Sequence, residues 1–337
     1  MNINPRVLAI VLAMLCPAVF LLSLGLGRYE ISPAEVGMIL VARFIEVDLP
    51  QSPNQEAVIF NLRLPRVALA MVVGGGLALA GACLQGIFRN PLVSPQILGV
   101  ASGSGFGGAL GLLLGSSGWA YGLAFLFGLL ALAAVFFIGT IRQERPVLML
   151  VLAGIVVGGF FQALIALAQY LADPQDALPA ITYWLMGSFA GATYRELVIS
   201  IPILLCVAVL LKMRWWVNVL SMGADYAQTL GVNVEVKRWL IIVCVTVIVA
   251  ISVSVSGIIG WVGLVIPHIG RMLVGPDHRA LLPVSVALGS VYLVLIDNLA
   301  RSLTPAEIPI GILTAVIGAP FFGYLLKKTH GGAWREG

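Results

Sequence analysis

The chain has 337 residues, 60% of them hydrophobic and only 10% charged, with a formal net charge of +4 and a mean hydropathy of +1.04. Soluble domains carry roughly 25% charged residues, so a soluble globular protein is excluded, and no nucleic-acid partner is expected. A membrane span takes about 20 apolar residues. The length therefore accommodates on the order of ten spans with short loops, without room for a separate soluble domain. The expected fold class is all-α: a polytopic helical protein of the lipid bilayer, with residues 1–337 forming one transmembrane domain.

The first apolar run, Val7 to Gly27, has no charge between Arg6 and Arg28. It is longer than the core of a cleaved signal, and no small-x-small cleavage site follows it, so it reads as a retained span. Further runs at 64–88, 92–115, 118–140, 147–171, 195–211, 239–256, 258–273, 281–298 and 308–326 complete the predicted set of crossings. Pro95 and Pro267 interrupt the third and eighth runs, both rich in glycine. A further short helix is expected at 180–191. Gly99, Gly103, Gly107, Gly111 and Gly115 recur every fourth residue, and Gly154 and Gly158 repeat the spacing. Such a stripe lets another helix approach closely, either as ordinary tight packing or as a moving or pore-lining contact. Cys16, Cys83, Cys206 and Cys244 lie inside apolar runs and read as small hydrophobes. His268, His278 and His330 show no ligand spacing, so no metal site is expected.

Basic residues set the orientation. With a cytoplasmic amino terminus, one side collects Arg6, Arg89, Arg142, Arg145, Lys212, Arg214, Lys237, Arg238, Arg271, Arg279, Lys327, Lys328 and Arg335. The other side has Arg28, Arg43, Arg63, Arg66, Arg195 and Arg301, so the division of all 19 is 13 against 6. Both termini and the polar stretch at about 212–238 are expected in the cytoplasm. Within that stretch, Ser221 to Gly231 predicts a short helix. Ser221 serves as its cap, Ala224 and Ala227 lie on one face, and Gly231 is the stop. A small-faced helix at that place suits either a plug for a partner's groove or a plain interfacial connector.

The predicted span interiors hold no Lys, Arg, Asp, Glu or His deep in the membrane; Asp297 and His268 fall near predicted ends. A charge at mid-bilayer costs about 2.5–3.5 kcal/mol or more and is kept there for work such as proton relay. The chain also lacks the Gly-x-x-x-x-Gly-Lys-Ser/Thr phosphate loop, clustered aspartates for magnesium, and any protease constellation. It is therefore not expected to be an enzyme. What remains is a translocator driven from outside through a cytoplasmic contact. The alternative is a sodium-coupled secondary carrier that draws its ligands from broken helices.

Several stretches together carry a resemblance. Leu62-Arg63-Leu64-Pro65-Arg66 opens the second run; Gly81-Ala82-Cys83-Leu84-Gln85, Arg89-Asn90-Pro91-Leu92 and Pro95 with Leu98-Gly99 follow. Trp184-Leu185-Met186-Gly187-Ser188 and Leu230-Gly231-Val232 come later. The longest segment runs from Gly257 to Arg271 through Trp261 and Pro267-His268, and continues in Asp277-His278-Arg279 and Leu281-Leu282-Pro283. Pro309-Ile310-Gly311 and Gly318-Ala319-Pro320-Phe321-Phe322 close the set. Their order and spacing resemble the FecCD family, the membrane permease subunits of binding-protein-dependent ABC importers for iron–siderophores, haem and cobalamin, with a branch for molybdate or tungstate.

The resemblance implies about ten transmembrane helices in a bacterial cytoplasmic (inner) membrane and a homodimer with its path along the dimer axis. It implies two copies of an ATP-binding cassette ATPase subunit on the cytoplasmic face and an extracytoplasmic substrate-binding protein. ATP and Mg belong to the partner ATPase, and this chain has no cofactor of its own. Arg63, Arg66 and Arg301 match binding-protein docking positions. Ala224, Asp225, Ala227, Leu230 and Gly231 match the ATPase-coupling helices, with Gln228 where the family usually carries an arginine. Asn90, Pro91 and Leu92, with Pro146 and Leu148, match the cytoplasmic gate. The fifth span and the 180–191 helix are expected to line the path, with Gln162, Gln169 and Ser188 as its polar residues. His268 and Arg271 are expected to be structural, beside the ATPase contact.

Overall fold

Each apolar run of the sequence appears as a helix, and the interruptions between them decide where the chain turns. The computed structural model describes residues 5–45, 53–115, 117–139, 146–231 and 233–330; Arg142, Arg145, Val232 and Arg335 lie outside them. Helix α1 (Pro5–Gly25) leads to α2 (Pro33–Ile45) and α3 (Pro53–Ala57). A π-helical turn at Val58–Arg63 then runs directly into α4 (Leu64–Phe88). A 3-10 turn at Pro95–Leu98 precedes α5 (Val100–Leu113), followed by α6 (Ser117–Gly139), α7 (Pro146–Leu171) and the short α8 (Ala177–Leu185). Next come α9 (Tyr194–Ile199), α10 (Ile201–Lys212), α11 (Arg214–Met222) and α12 (Ala224–Thr229). The chain continues in α13 (Val234–Ser256), α14 (Val262–Val274), α15 (His278–Ser302) and α16 (Ile310–His330).

Six helical segments among the described residues are long and apolar enough to cross a membrane. They are Asn54–Phe88, Gly118–Gly139, Leu148–Leu171, Tyr194–Lys212, Val234–Ser256 and His278–Ser302. Four shorter apolar helices accompany them, Ile10–Gly25, Val100–Leu113, Val262–Val274 and Ile310–Leu325. The third and eighth runs are two of these short helices. In the third, Pro95 opens a 3-10 turn and Gly99, at φ +71°, resets the chain before α5. In the eighth, Pro267 sits inside α14 without ending it. The break lies earlier, where α13 stops at Gly257 and the backbone stays unwound to Trp261, a non-glycine residue at φ +67°. Such a conformation costs a side chain of this size on the order of 1–3 kcal/mol and persists only where the surroundings enforce it. Here the Trp261 ring packs against Gly318 of α16.

The centre of the bundle is α4, α13 and α15. Their apolar stretches are 83%, 78% and 61% buried, against 28%, 33% and 22% for α6, α7 and the α9–α10 segment. Close approach is what lets α4 sit there. A β-carbon on Gly74 would overlap the carbonyl of Gly289 on α15, and one on Gly289 would overlap that of Gly74. Gly81 lies in the same way over the Gly263 carbonyl of α14. Lipid offers no hydrophobic drive between helices, so van der Waals contact at such small-residue crossings holds them together. Two side-chain bonds reinforce the seam: Ser290 Oγ donates to the Met71 carbonyl at 2.8 Å and Gln85 Nε2 to the Gly263 carbonyl at 3.2 Å.

The glycine stripe of α5 resolves as packing. Gly103, Gly107 and Gly111 face the backbone of α6, and Gly99 meets Gly154 and Gly158 of α7. Two expectations are corrected. The helix expected at 180–191 is α8, which starts earlier and ends at Leu185, because Gly187 (φ +78°) turns the chain into a loop. The single helix expected over 221–231 is two helices broken at Gly223 (φ +126°). Ser221 does not cap it; its hydroxyl donates to the Asn218 carbonyl at 2.7 Å. Gly231, at φ +70°, does end α12.

Candidate functional site

Three groups of predicted residues occupy three places: the basic end of the bundle, the opposite end, and a wall between them. At the basic end, α11 is anchored by apolar burial of Val217, Val219 and Leu220 and by polar ties to the α14–α15 turn. Asn218 Oδ1 accepts from the His278 amide at 2.9 Å, and Arg214 Nη1 donates to the Arg279 carbonyl at 3.4 Å. Trp215 and Trp216 meet edge to face at 4.6 Å, and Lys237 Nζ lies 4.7 Å from the Trp216 ring centroid, a cation–π contact. In the turn itself, the paired Arg279 guanidinium holds the Asp277 carboxyl below its ordinary range. Asp277 also caps α15 by accepting the Arg279 amide at 2.9 Å.

This scaffold presents α12 as an exposed knob. Asp225, Leu230 and Gly231 are exposed, as are Tyr226 and Gln228. Ala227 is fully buried against the bundle, so the expectation that it sits on the partner-facing surface is corrected. It fixes the helix from behind while its neighbours form the face. Ala224 begins the helix. Tyr226, not singled out from the sequence, is exposed beside Asp225.

The Asn90–Leu92 segment is a tight turn at the same end. The left-handed Arg89 (φ 50°) ends α4, Asn90 Oδ1 accepts the Leu92 amide at 2.9 Å, and Asn90, Pro91 and Leu92 are all exposed. Pro146 opens α7, and Leu148 in its first turn is exposed. His268 packs edge-on to Phe322 at 6.4 Å, and Arg271 is half-buried.

At the opposite end the three predicted docking arginines are inside the fold. Arg63, Arg66 and Arg301 are buried, and the expectation of free cationic side chains on the surface is corrected. Arg63 Nη1 donates to the carbonyls of Leu24 (2.7 Å) and Gly25 (2.9 Å), and Nη2 to that of Tyr29. It thereby satisfies the carbonyls left unpaired at the end of α1. Arg66 grips Asp297 through Nε (3.0 Å) and Nη2 (2.8 Å). It also forms a two-pronged contact with Glu307 through Nη1 (3.0 Å) and Nη2 (2.8 Å). Arg301 Nη2 donates to the Ser23 carbonyl at 2.6 Å and to Asn298 Oδ1, and Asn298 Nδ2 donates to Ser23 Oγ at 2.8 Å. Burying a charge is costly unless it is hydrogen-bonded or paired, and here Arg63 relies on carbonyls whereas Arg66 has two carboxylates. The exposed cations at this end are Arg28, Arg43 and Arg195.

Between the ends, α7 turns Leu152, Ile155, Val156, Phe160 and Leu167 outward. Gln162, also exposed, donates to Ser102 Oγ at 3.3 Å, whereas Gln169 is half-buried. Ser188 follows α8 and lines a cavity of about 280 Å³ with Tyr121, Tyr183, Trp184 and Ser256. Tyr183 Oη is 3.3 Å from Ser188 Oγ, and the Ala190 amide donates to the same hydroxyl at 3.0 Å. A second, more open depression of about 430 Å³ is lined by Gln96, Met186, Gly260, Trp261, Ile312 and Val316. Neither lining contains a charged residue. Gln96 and Trp261 were not singled out from sequence; their signal is that each sits at an interruption of an apolar run. Among the described residues no group of three or more His, Cys, Asp or Glu side chains is placed to hold a metal ion. These walls offer weak polar and apolar contacts and no charged side chain.

Residues 14–328 match the family model described as the FecCD transport family. The chain is 49% identical over 319 residues to the molybdate import system permease protein MolB of Haemophilus influenzae, covering 94% of each. It is 37% identical over 284 residues to the vitamin B12 import system permease protein BtuC of Klebsiella pneumoniae, covering 83% of this chain and 85% of that one. Among solved structures, an inward-facing conformation of a proposed metal-chelate type ABC transporter superposes with a TM-score of 0.86 at 46% identity. That alignment covers 96% of this chain and all of the other. Membrane-length helices and matches along nearly the whole chain agree: this multi-pass membrane protein belongs to the FecCD family and is an ABC importer permease.

Proposed function

We propose that the chain crosses a bacterial inner membrane ten times with both termini in the cytoplasm, and that it forms a homodimeric path for a metal oxyanion, molybdate or tungstate. The observation that carries the substrate is the 49% identity, over 94% of both chains, to a molybdate import permease. The uncharged, hydroxyl-bearing walls around Ser188 support it, because a dianion is passed on most readily by neutral donors and is not trapped by fixed cations. The distribution of basic residues, 13 against 6, supports the orientation. On this reading two ATPase subunits bind the α12 face, hydrolyse ATP with Mg and drive alternating access, while a soluble binding protein delivers cargo at the arginine-network end.

The test is uptake into proteoliposomes containing the permease, its ATPase and its binding protein. Molybdate and tungstate should accumulate only with internal ATP and magnesium, whereas ferric hydroxamate and cobalamin should not. Uptake of a chelate in place of the oxyanion would replace the substrate assignment. Sodium-driven uptake without the ATPase would overturn the importer mechanism for this chain.

A further inference from the structure

Glu307 stands out among the charged groups at the arginine-network end. Arg66 holds two carboxylates, and they are not equivalent. The Asp297 side chain is 1% exposed and rides on a central helix, whereas that of Glu307 is 26% exposed and lies in the 303–309 loop between α15 and α16. Glu307 reaches Arg66 from the solvent side through both terminal nitrogens, with Nη1 to Oε1 at 3.0 Å and Nη2 to Oε2 at 2.8 Å. That is the geometry in which an arginine takes a carboxylate from any source. Few other bonds hold the loop. Arg28 Nη2 donates to the Thr304 carbonyl at 3.2 Å, and the Ile308 amide donates to the Ala300 carbonyl at 3.2 Å. Immediately beyond, the Ile310 and Gly311 amides donate to the carbonyls of Gly187 (2.8 Å) and Met186 (3.0 Å). They join the start of α16 to the loop that carries Ser188.

We propose that Glu307 is a displaceable latch: it occupies the outer prongs of Arg66 until a carboxylate on the face of a docking soluble protein takes its place. The idea rests on the docking reading above and specifies how that site is regulated. Exchange of one carboxylate for another leaves the charge around Arg66, Arg301 and Asp297 unchanged, so the buried network keeps its balance. What changes is the loop, which loses its strongest tie just ahead of α16. Arrival of the binding protein is thereby read as freedom at α16 and at Gly187. With the latch closed, the socket is available only for the fraction of time Glu307 is away, and apparent affinity is reduced by that fraction.

The experiment uses the permease assembled with its ATPase in lipid nanodiscs, titrated with the substrate-binding protein that copurifies with the importer. Glu307→Gln should tighten docking by roughly fivefold, the size of effect a partly exposed ion pair exerts. Glu307→Asp should fall between the two. Hydrogen exchange at Ile308 and Ile310 should quicken in Glu307→Gln without any partner, and in the wild type when the binding protein is added. Unchanged or weaker docking by Glu307→Gln, or exchange that does not respond, overturns the latch. Arg66→Lys, which keeps the charge and loses the fork, separates the two failures. If it weakens docking while Glu307→Gln does not strengthen it, docking stands and the latch falls. If docking is indifferent to it, the docking reading falls and takes the latch with it.

Discussion

Arg66 bonds to carboxylates 231 and 241 positions away in the chain, and that separation is why its role was hidden in the sequence. Read locally, Leu62 to Arg66 is a pair of cations at a span end, the pattern of a surface charge. Read in the fold, the same guanidinium ties α4 to α15 and to the loop before α16. The pairing has an energetic signature. Replacing one partner of a buried ion pair strands the other charge, at about 3–5 kcal/mol. Asp297→Ala, which leaves Arg66 and Arg301 short of their shared carboxylate, should therefore lower the thermal unfolding temperature in detergent by several degrees. Asp277→Ala, removing an exposed pair with Arg279, should move it far less. Equal shifts would show that the buried network does not bear on stability.

Helix α12 shows how far a helical period carries and where it stops. Its existence and its end at Gly231 were legible, because glycine beyond a short periodic stretch marks a helix stop. Its start was not, since the run from Arg214 to Gly231 has no proline and only Gly223 to signal a break. The inward face was also mistaken. A small residue reads equally well as a seat for a partner or as a close contact with the chain's own core, and Ala227 is the latter. The exposed side is instead Asp225, Tyr226 and Leu230. A Tyr226→Ala, Leu230→Asp double variant should reduce ATPase binding about tenfold or more, since a tyrosine anchor is lost and a charge is placed where apolar surface would be buried. Stoichiometry on size-exclusion chromatography would register the loss while the permease fold stays intact by circular dichroism. Full ATPase retention would move the contact away from α12. Helix α2 escaped sequence reading for a different reason: with Glu35 and Arg43 in 13 residues it is too polar and too short to register as a span.

For the molecule as a whole, apolar runs were the most legible feature, because a bilayer demands length and hydrophobicity that nothing else in the sequence imitates. Which helices lie at the centre was not legible. Helices α4 and α6 are about equally apolar, with stretches of mean hydropathy 2.2 and 2.5, yet one is 83% buried and the other 28%. What separates them is the placement of Gly74 and Gly81 opposite glycines far along the chain. The outer face of α7 has the complementary property, a row of large, exposed apolar residues, Leu152, Ile155, Val156, Phe160 and Leu167. If that face meets its copy in a homodimer, Ile155→Cys should yield an oxidant-dependent dimer on non-reducing gels, whereas Leu205→Cys on α10 should not. No cross-link at Ile155 would place the dimer seam elsewhere.

The paired glycines where α4 crosses α15 also divide the labour of movement. Backbones that touch without intervening side chains have no rotamers to exchange, and hence no alternative packing at modest cost. The α4–α15 seam therefore behaves as a stator. Opening and closing falls instead to elements whose contacts run through side chains, as α10 does where the Ile203 side chain meets Gly76 of α4. A substitution at Gly74 or Gly289 would accordingly be felt as failure to assemble, and one on the outer helices as a change in the rate of turnover.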